Sequence, residues 1–271
     1  VPYVVSKLGQ GLQSQNYQLN CIARVSDTYG SAANATSTVR VLPISSISTV
    51  ASTTATALSI AVRDSNPAVV YQAIGAALAS VNAVDCTVPA ACGTINRELC
   101  SQTAGMCGPC LPGFVGPAGD SNVACNSTSK VVPIGASCSA GTCVTGLCTA
   151  GVCTDVPKVC PSNCGTRGEC VFTDLEGNAV PTCLTLDTTC RAECLCDFIR
   201  FGASCSLAQF DYNQLLVLRS ELCSSVYQTL GLQDVTADIV NNRATTINDI
   251  LVDEDQINLS ALYNCTAALT E

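Results

Sequence analysis

The chain has no histidine, no tryptophan and a single methionine. Without histidine it lacks the side chain most used as a general base near neutral pH and as a nitrogen ligand for metals. Aromatic residues make up 4% of 271, too little bulky material for one large core. Charged residues are only 12%, with 12 basic against 21 acidic and a formal net charge of −9. That balance gives no footprint for nucleic acid or an anionic membrane surface. No apolar run is long enough to span a bilayer, and no stretch is expected to act as a signal peptide. The chain also lacks a G-x-S-x-G motif, a phosphate loop and a carboxylate pair in a recognisable pocket context. No catalytic constellation is therefore legible, and neither an enzyme activity nor a cofactor is expected.

Cysteine is what the chain has in quantity. It contains 21, of which 18 lie between Cys86 and Cys205. In a chain of this length that means an oxidising compartment or a metal protein. The irregular spacings and the missing histidine favour disulfides, and no metal is expected. The expected location is extracellular or on the cell surface, which implies a processed form or an excised piece of something longer. Four N-x-S/T sequons, at Asn34, Asn126, Asn258 and Asn264, are candidate carriers of N-linked glycans. They support secretion only weakly, since a chain this rich in Ser and Thr holds nearly that many by chance.

Organisation follows from pattern. Within residues 1–45, Tyr17, Leu19, Cys21, Ala23 and Val25 alternate with polar residues, Asp27-Thr-Tyr-Gly30 is a turn, and Ala33, Ala35, Ser37, Val39 and Val41 alternate again. This predicts a β-hairpin with one buried face. Residues 46–85 predict a helical hairpin: Ile47, Val50, Ala57, Leu58 and Ala61, then Val70, Ile74, Leu78 and Val81, keep helical spacing. Asn66 is placed as N-cap before Pro67 at the first helical position.

Residues 86–125 form a cysteine-rich module and residues 126–154 a short repeat. In the repeat Cys138, Cys143, Cys148 and Cys153 recur every five residues among Gly, Ala, Ser and Thr. Loops with so little to bury require two bridges to hold a shape. A metallothionein-like thiolate cluster is the alternative. Cys107-Gly-Pro-Cys110 spells a thioredoxin-type motif, but Pro112 and Gly113 would break the helix that such chemistry needs. Two cysteines bonded to different partners is the favoured reading; a disulfide oxidoreductase is the minor one.

Residues 155–206 hold eight cysteines. Residues 207–271 predict three amphipathic helices, with Asp234 or Thr236 as an N-cap and with Cys223 and Cys265 on apolar faces. A bridge between those two would staple the first helix to the third. The Asp253-Glu-Asp255 cluster reads as a solvated turn at a helix N-terminus. The cysteine blocks hold six, four, eight and two, so Cys21 is left over, either free or bonded to another chain.

Several stretches resemble known modules. The hairpin resembles the last strands of an Ig-like sandwich of the PKD/REJ kind. Such a sandwich needs about seven strands, so the rest would have to come from lost sequence or from another chain. Residues 86–125 look like a PSI or EGF-like module. Cys160-Pro-Ser-Asn-Cys164-Gly-Thr-Arg-Gly-Glu-Cys170 and Cys194-Leu-Cys196 through Cys205 resemble an EGF-like module. That resemblance implies the pairs Cys160–Cys170, Cys164–Cys194 and Cys196–Cys205. Cys183 and Cys190, in an insertion that departs from the family pattern, would bridge each other. Only Asp155 lies upstream, so no calcium is expected. The C-terminal helices look like the helical subdomain of GAIN domains. Together the order resembles polycystin-like receptors and modular surface or fibre proteins of protists. It implies a multi-module, disulfide-rich structural glycoprotein that self-associates through its N-terminal hairpin as a fibre protomer. The alternative is the ectodomain stalk of a polycystin-like or adhesion receptor.

Overall fold

A computed structural model describes residues 8–12, 15–44, 46–84, 86, 91–127, 131–145 and 147–270. The chain divides into two compact units. One joins Val1–Ala83 to Phe210–Glu271, and the other is the continuous stretch Val84–Gln209.

The first unit is built on α1 (Ile47–Arg63), α2 (Pro67–Val81), α3 (Gln209–Gln228), α4 (Ala237–Ile250) and α5 (Leu259–Thr270). Local chemistry sets where they begin. The Ser46 hydroxyl accepts from Thr49 N ahead of α1. The Asn66 side chain accepts from Val69 N, with Pro67 in the first turn of α2. Thr236 accepts from Ile239 N at α4, and Asn258 Oδ1 from Ala261 N at α5. Each satisfies a donor that the helix itself leaves unpaired.

Periodicity alone treats the helical hairpin and the C-terminal helices as separate segments. In the fold they share one core. Val50, Leu58, Val70 and Ile74 pack in the same cluster as Leu218, Leu222, Val226, Ile247, Ile250 and Ala268. The reason is one of supply. The stripe of α1 and α2 is largely alanine and valine and buries little by itself, whereas α3 and α4 bring leucine and isoleucine. The Cys223–Cys265 bridge lies in this core and ties α3 to α5.

The same unit carries the hairpin of β1 (Gln18–Ser26) and β2 (Ala32–Arg40). They pair antiparallel from Gln18↔Arg40 to Ser26↔Ala32. The turn is held by Asp27, whose carboxylate accepts from Tyr29 N and Ser31 N, and by Gly30 at φ 88°. The expected buried face requires correction. Leu19, Cys21 and Val39 are half-buried, while Ala23, Ala33, Ala35 and Val25 are exposed, Val25 by 72%. The sheet has two strands, and among the described residues no third strand pairs with it to help cover that face.

The second unit has only short regular structure. Its longest sheet pairs Gly168–Asp174 with Cys190–Cys196, placing Cys170 opposite Cys194. Nine bridges organise it: Cys86–Cys100, Cys92–Cys107, Cys110–Cys125, Cys138–Cys148, Cys143–Cys153, Cys160–Cys170, Cys164–Cys194, Cys183–Cys190 and Cys196–Cys205. With Cys223–Cys265 the described chain is a disulfide-rich protein of ten bridges and one free thiol, Cys21. Ser162, Asn163, Cys164 and Gly165 follow one another at φ 45° to 58°. A left-handed run costs L-residues about 1–2 kcal/mol each. Here Cys160 before it and Cys164 within it are both bridged, which holds the chain in that form.

The Cys223–Cys265 bridge spans 42 residues, for which chain entropy gives a stabilisation of about 4 kcal/mol. Replacing both cysteines with alanine should lower the unfolding free energy by roughly that amount, read from denaturant titration with the other bridges intact. An unchanged midpoint would mean that the core, not the staple, holds α5.

Candidate functional site

Three guanidiniums are buried: Arg97, Arg219 and Arg243. Arg243 has a single donation, to Ala268 O, and its Nε has no partner among the described residues; the other two are each held by several oxygens. Arg97 is 1% exposed. Its Nε donates to Val123 O at 2.6 Å, one terminal nitrogen to Gly108 O and Gly119 O at 2.9 Å, and the other to Pro117 O at 2.9 Å. These carbonyls belong to a loop-rich stretch and all converge on one side chain. Burial lowers the Arg97 pKa, opposed by the charge of Asp120.

Arg219, on α3, is also 1% exposed. It donates to Gln256 Oε1, Ile250 O and Asn82 Oδ1. Asn82, the C-cap of α2, in turn donates to Asp249 O at 2.8 Å. One guanidinium thus links α2, α3, α4 and the turn before α5. Burial lowers its pKa and the charge of Asp253 opposes this. Asp253 accepts from Gln256 Nε2. Its carboxyl is held above the usual range chiefly by burial, which outweighs the opposing charge of Arg219. Of the acidic cluster, Glu254 and Asp255 are exposed, whereas Asp253 belongs to this buried network.

Sequence reasoning passed over both arginines, although one signal was available. Leu215, Arg219, Leu222 and Val226 follow a 4-3-4 spacing, so a charge sits on an apolar stripe. Arg97 has no such periodic context. Both sites hold carbonyl and amide oxygens already engaged by the chain, which is the chemistry of structure.

The two sulfurs of the Cys107-Gly-Pro-Cys110 motif are not joined to each other. Cys107 is bonded to Cys92 and Cys110 to Cys125. An exchange centre of the thioredoxin kind cycles a bond between its own two cysteines, so the redox reading is left without its pair. Two groups of sulfurs are crowded, Cys138 with Cys143 and Cys153, and Cys160 with Cys164 and Cys194. All six are in bridges, and a metal site needs thiolates. Asp155, considered above for calcium, accepts from Val156 N and Leu186 N and so clasps the insertion to the chain before Cys160.

The sequons differ in setting. Asn34 is exposed on β2, directly opposite Arg24. Asn126 is half-buried and donates its amide to Cys143 O; Thr128 of its sequon lies outside the described residues. Asn258 caps α5 and donates to Leu216 O. Asn264 is half-buried within α5, beside the bridged Cys265.

A groove of about 250 Å³ touches Val41, Leu42, Val50, Ala57 and Ala77, and no titratable side chain lines it. Among the described residues, no helix is long and apolar enough to cross a membrane. The ten disulfides fit a secreted or extracellular protein. In comparisons with known proteins, no family model, no curated protein and no solved structure matches this chain.

Two predictions follow from the Arg219 network. Arg219→Met leaves Asn82, Gln256 and the α4 carboxyl end without their charged donor. It should destabilise the helical unit by about 3 kcal/mol, measured by helix ellipticity against denaturant. The second concerns pH. A carboxyl raised in the folded state binds its proton more tightly there than in the unfolded chain. Its contribution is present below the ordinary 3.8 and is lost as pH rises through the folded value. Acidification from neutral pH should therefore stabilise the parent relative to Asp253→Asn. The lowered pKa values of the half-buried Asp174 and Asp187, set by hydrogen bonds to their carboxylates, act in the opposite sense, but they are common to both proteins and cancel in the difference.

Proposed function

We propose that this chain is a structural extracellular glycoprotein, the protomer of a surface fibre or filament that assembles through its N-terminal strands. The observation carrying this reading is the β1–β2 hairpin. It is a regular nine-pair sheet with exposed Val25 and Ile22, and it bears the one unpaired thiol of the chain.

An isolated two-stranded sheet is marginal in water, and open edges invite further strands. A second copy can supply them, with main-chain hydrogen bonds giving affinity and alternate side chains giving register. The belt of bridges between Cys86 and Cys205 serves in this reading as a stiff spacer that keeps its shape without a large core. The multi-module resemblances to PKD/REJ-like strands, PSI/EGF-like modules and GAIN-like helices point the same way.

The intact native protein viewed by negative-stain electron microscopy should show end-to-end or lateral association. Val25→Lys should abolish it while the helical circular dichroism of the parent is retained. Images showing only separate native monomers would falsify the reading.

A further inference from the structure

The geometry points to Asn34 as the sequon that carries an N-linked glycan, and to Asn126, Asn258 and Asn264 as unmodified. This rests on the extracellular glycoprotein reading and goes beyond it by selecting one acceptor of four.

The transfer is a simple exchange. The amide nitrogen of asparagine bonds to the anomeric carbon of a lipid-linked oligosaccharide diphosphate. The bond from sugar to phosphate breaks, the lipid diphosphate leaves with the electron pair, and the amide gives up one proton. Nothing is oxidised or reduced. The amide and the hydroxyl two residues on must be reachable from the same side, and the finished chain must leave room for the sugar.

A strand meets the first condition, because residues i and i+2 lie on one face. Asn34 and Thr36 are both exposed on β2 and share a face with Arg24 and Ile22. In a helix, residues two apart point to different sides. Asn264 and Thr266 are so placed on α5, and the Thr266 hydroxyl donates to Leu262 O. The second condition fails at the remaining two. Asn126 is half-buried, its amide donating one hydrogen to Cys143 O, within a strand pair that sets it opposite Val115. Asn258 uses its oxygen to cap α5 and its amide nitrogen to reach Leu216 O.

The choice has a structural consequence. The register puts Asn34 on a face with Gln18, Asn20, Ile22, Arg24, Thr36, Thr38 and Arg40, polar but for Ile22. Leu19, Cys21, Ala23, Val25, Ala33, Ala35 and Val39 lie on the other. A hydrated oligosaccharide on the first face excludes protein contact across it. Strand-mediated association then uses the second face or the strand edges.

The test is site mapping on the full-length native protein. Peptides are released after enzymatic deglycosylation in heavy-oxygen water, which tags each formerly glycosylated asparagine. The tag should fall on Asn34 alone. In a secreting eukaryotic host, Asn34→Gln and Thr36→Ala should each lose one glycan from the electrophoretic mass, and Thr36→Ser should keep it. A tag at Asn126, Asn258 or Asn264, with or without one at Asn34, overturns the selection and leaves the glycoprotein reading standing. A chain without any tag overturns both.

Discussion

Arg97 and Arg219 are each removed from water and met by oxygen, and each unit of this protein holds one of them. Arg97 is met by four main-chain carbonyls and Arg219 by one carbonyl and two side-chain amides. Neither forms a direct ion pair among the described residues. The arrangement works because the oxygens involved have few other donors. Gly108, Pro117, Gly119 and Val123 lie in irregular chain, where no ladder supplies N–H groups. Ile250 is the last residue of α4, whose final carbonyls are left open and carry the negative end of the helix dipole. Asn82 closes α2 in the same way. Arg219 therefore lies where two helix C-termini converge. Exchanging it for an apolar side chain of similar size would fill the space and leave those oxygens unsatisfied.

Away from the two arginines, the units hold their shape by different means. The helical unit has a conventional apolar core and a single bridge. In the other unit, cystine is itself the core: Cys160, Cys164 and Cys205 are fully buried, with Cys170, Cys194, Cys196 and Ala192 packed against them. A cystine adds apolar volume and also restricts the unfolded chain. This is how a stretch with few aromatic residues and sheets of two strands keeps a defined form. It also explains why an unusual backbone is tolerated there. The left-handed run through Ser162–Gly165 persists because its flanks are tied covalently, whereas in the helical unit packing would have to hold such a run.

Much of this could be read from the sequence, and the failures have a common cause. The helices were legible because their signals are local: Asn66-Pro67 starts α2, and the stripes of α3 and α4 repeat at the helical period. The hairpin was legible from Asp27 and Gly30 in its turn. What local signals could not report is which faces meet. The expectation that the alternating face of β1 is buried rests on a partner that alternation cannot identify, and Val25 is in fact exposed. The common core of the two helical segments was hidden for the same reason, since a belt of more than a hundred residues separates them in sequence. Arg97 was invisible because its partners are main-chain oxygens, which every residue has.

The parity of the cysteines bears directly on the hairpin. Ten bridges close without Cys21, so its thiol is not left over through a failure of pairing elsewhere. It lies on the face that alternation makes apolar, opposite Ser37 and between Leu19 and Ala23. A half-buried thiol on such a face behaves as a small apolar group when it is covered, and is open to oxidation when it is not. In an oxidising compartment the second condition is hazardous, and the association proposed above would remove the hazard by covering the thiol. The half-buried Leu19, Cys21 and Val39 at one end, against the exposed Val25 at the other, describe a face covered along part of its length. Completing that cover with strands from another protomer would satisfy the apolar face, the open edges and the odd thiol together.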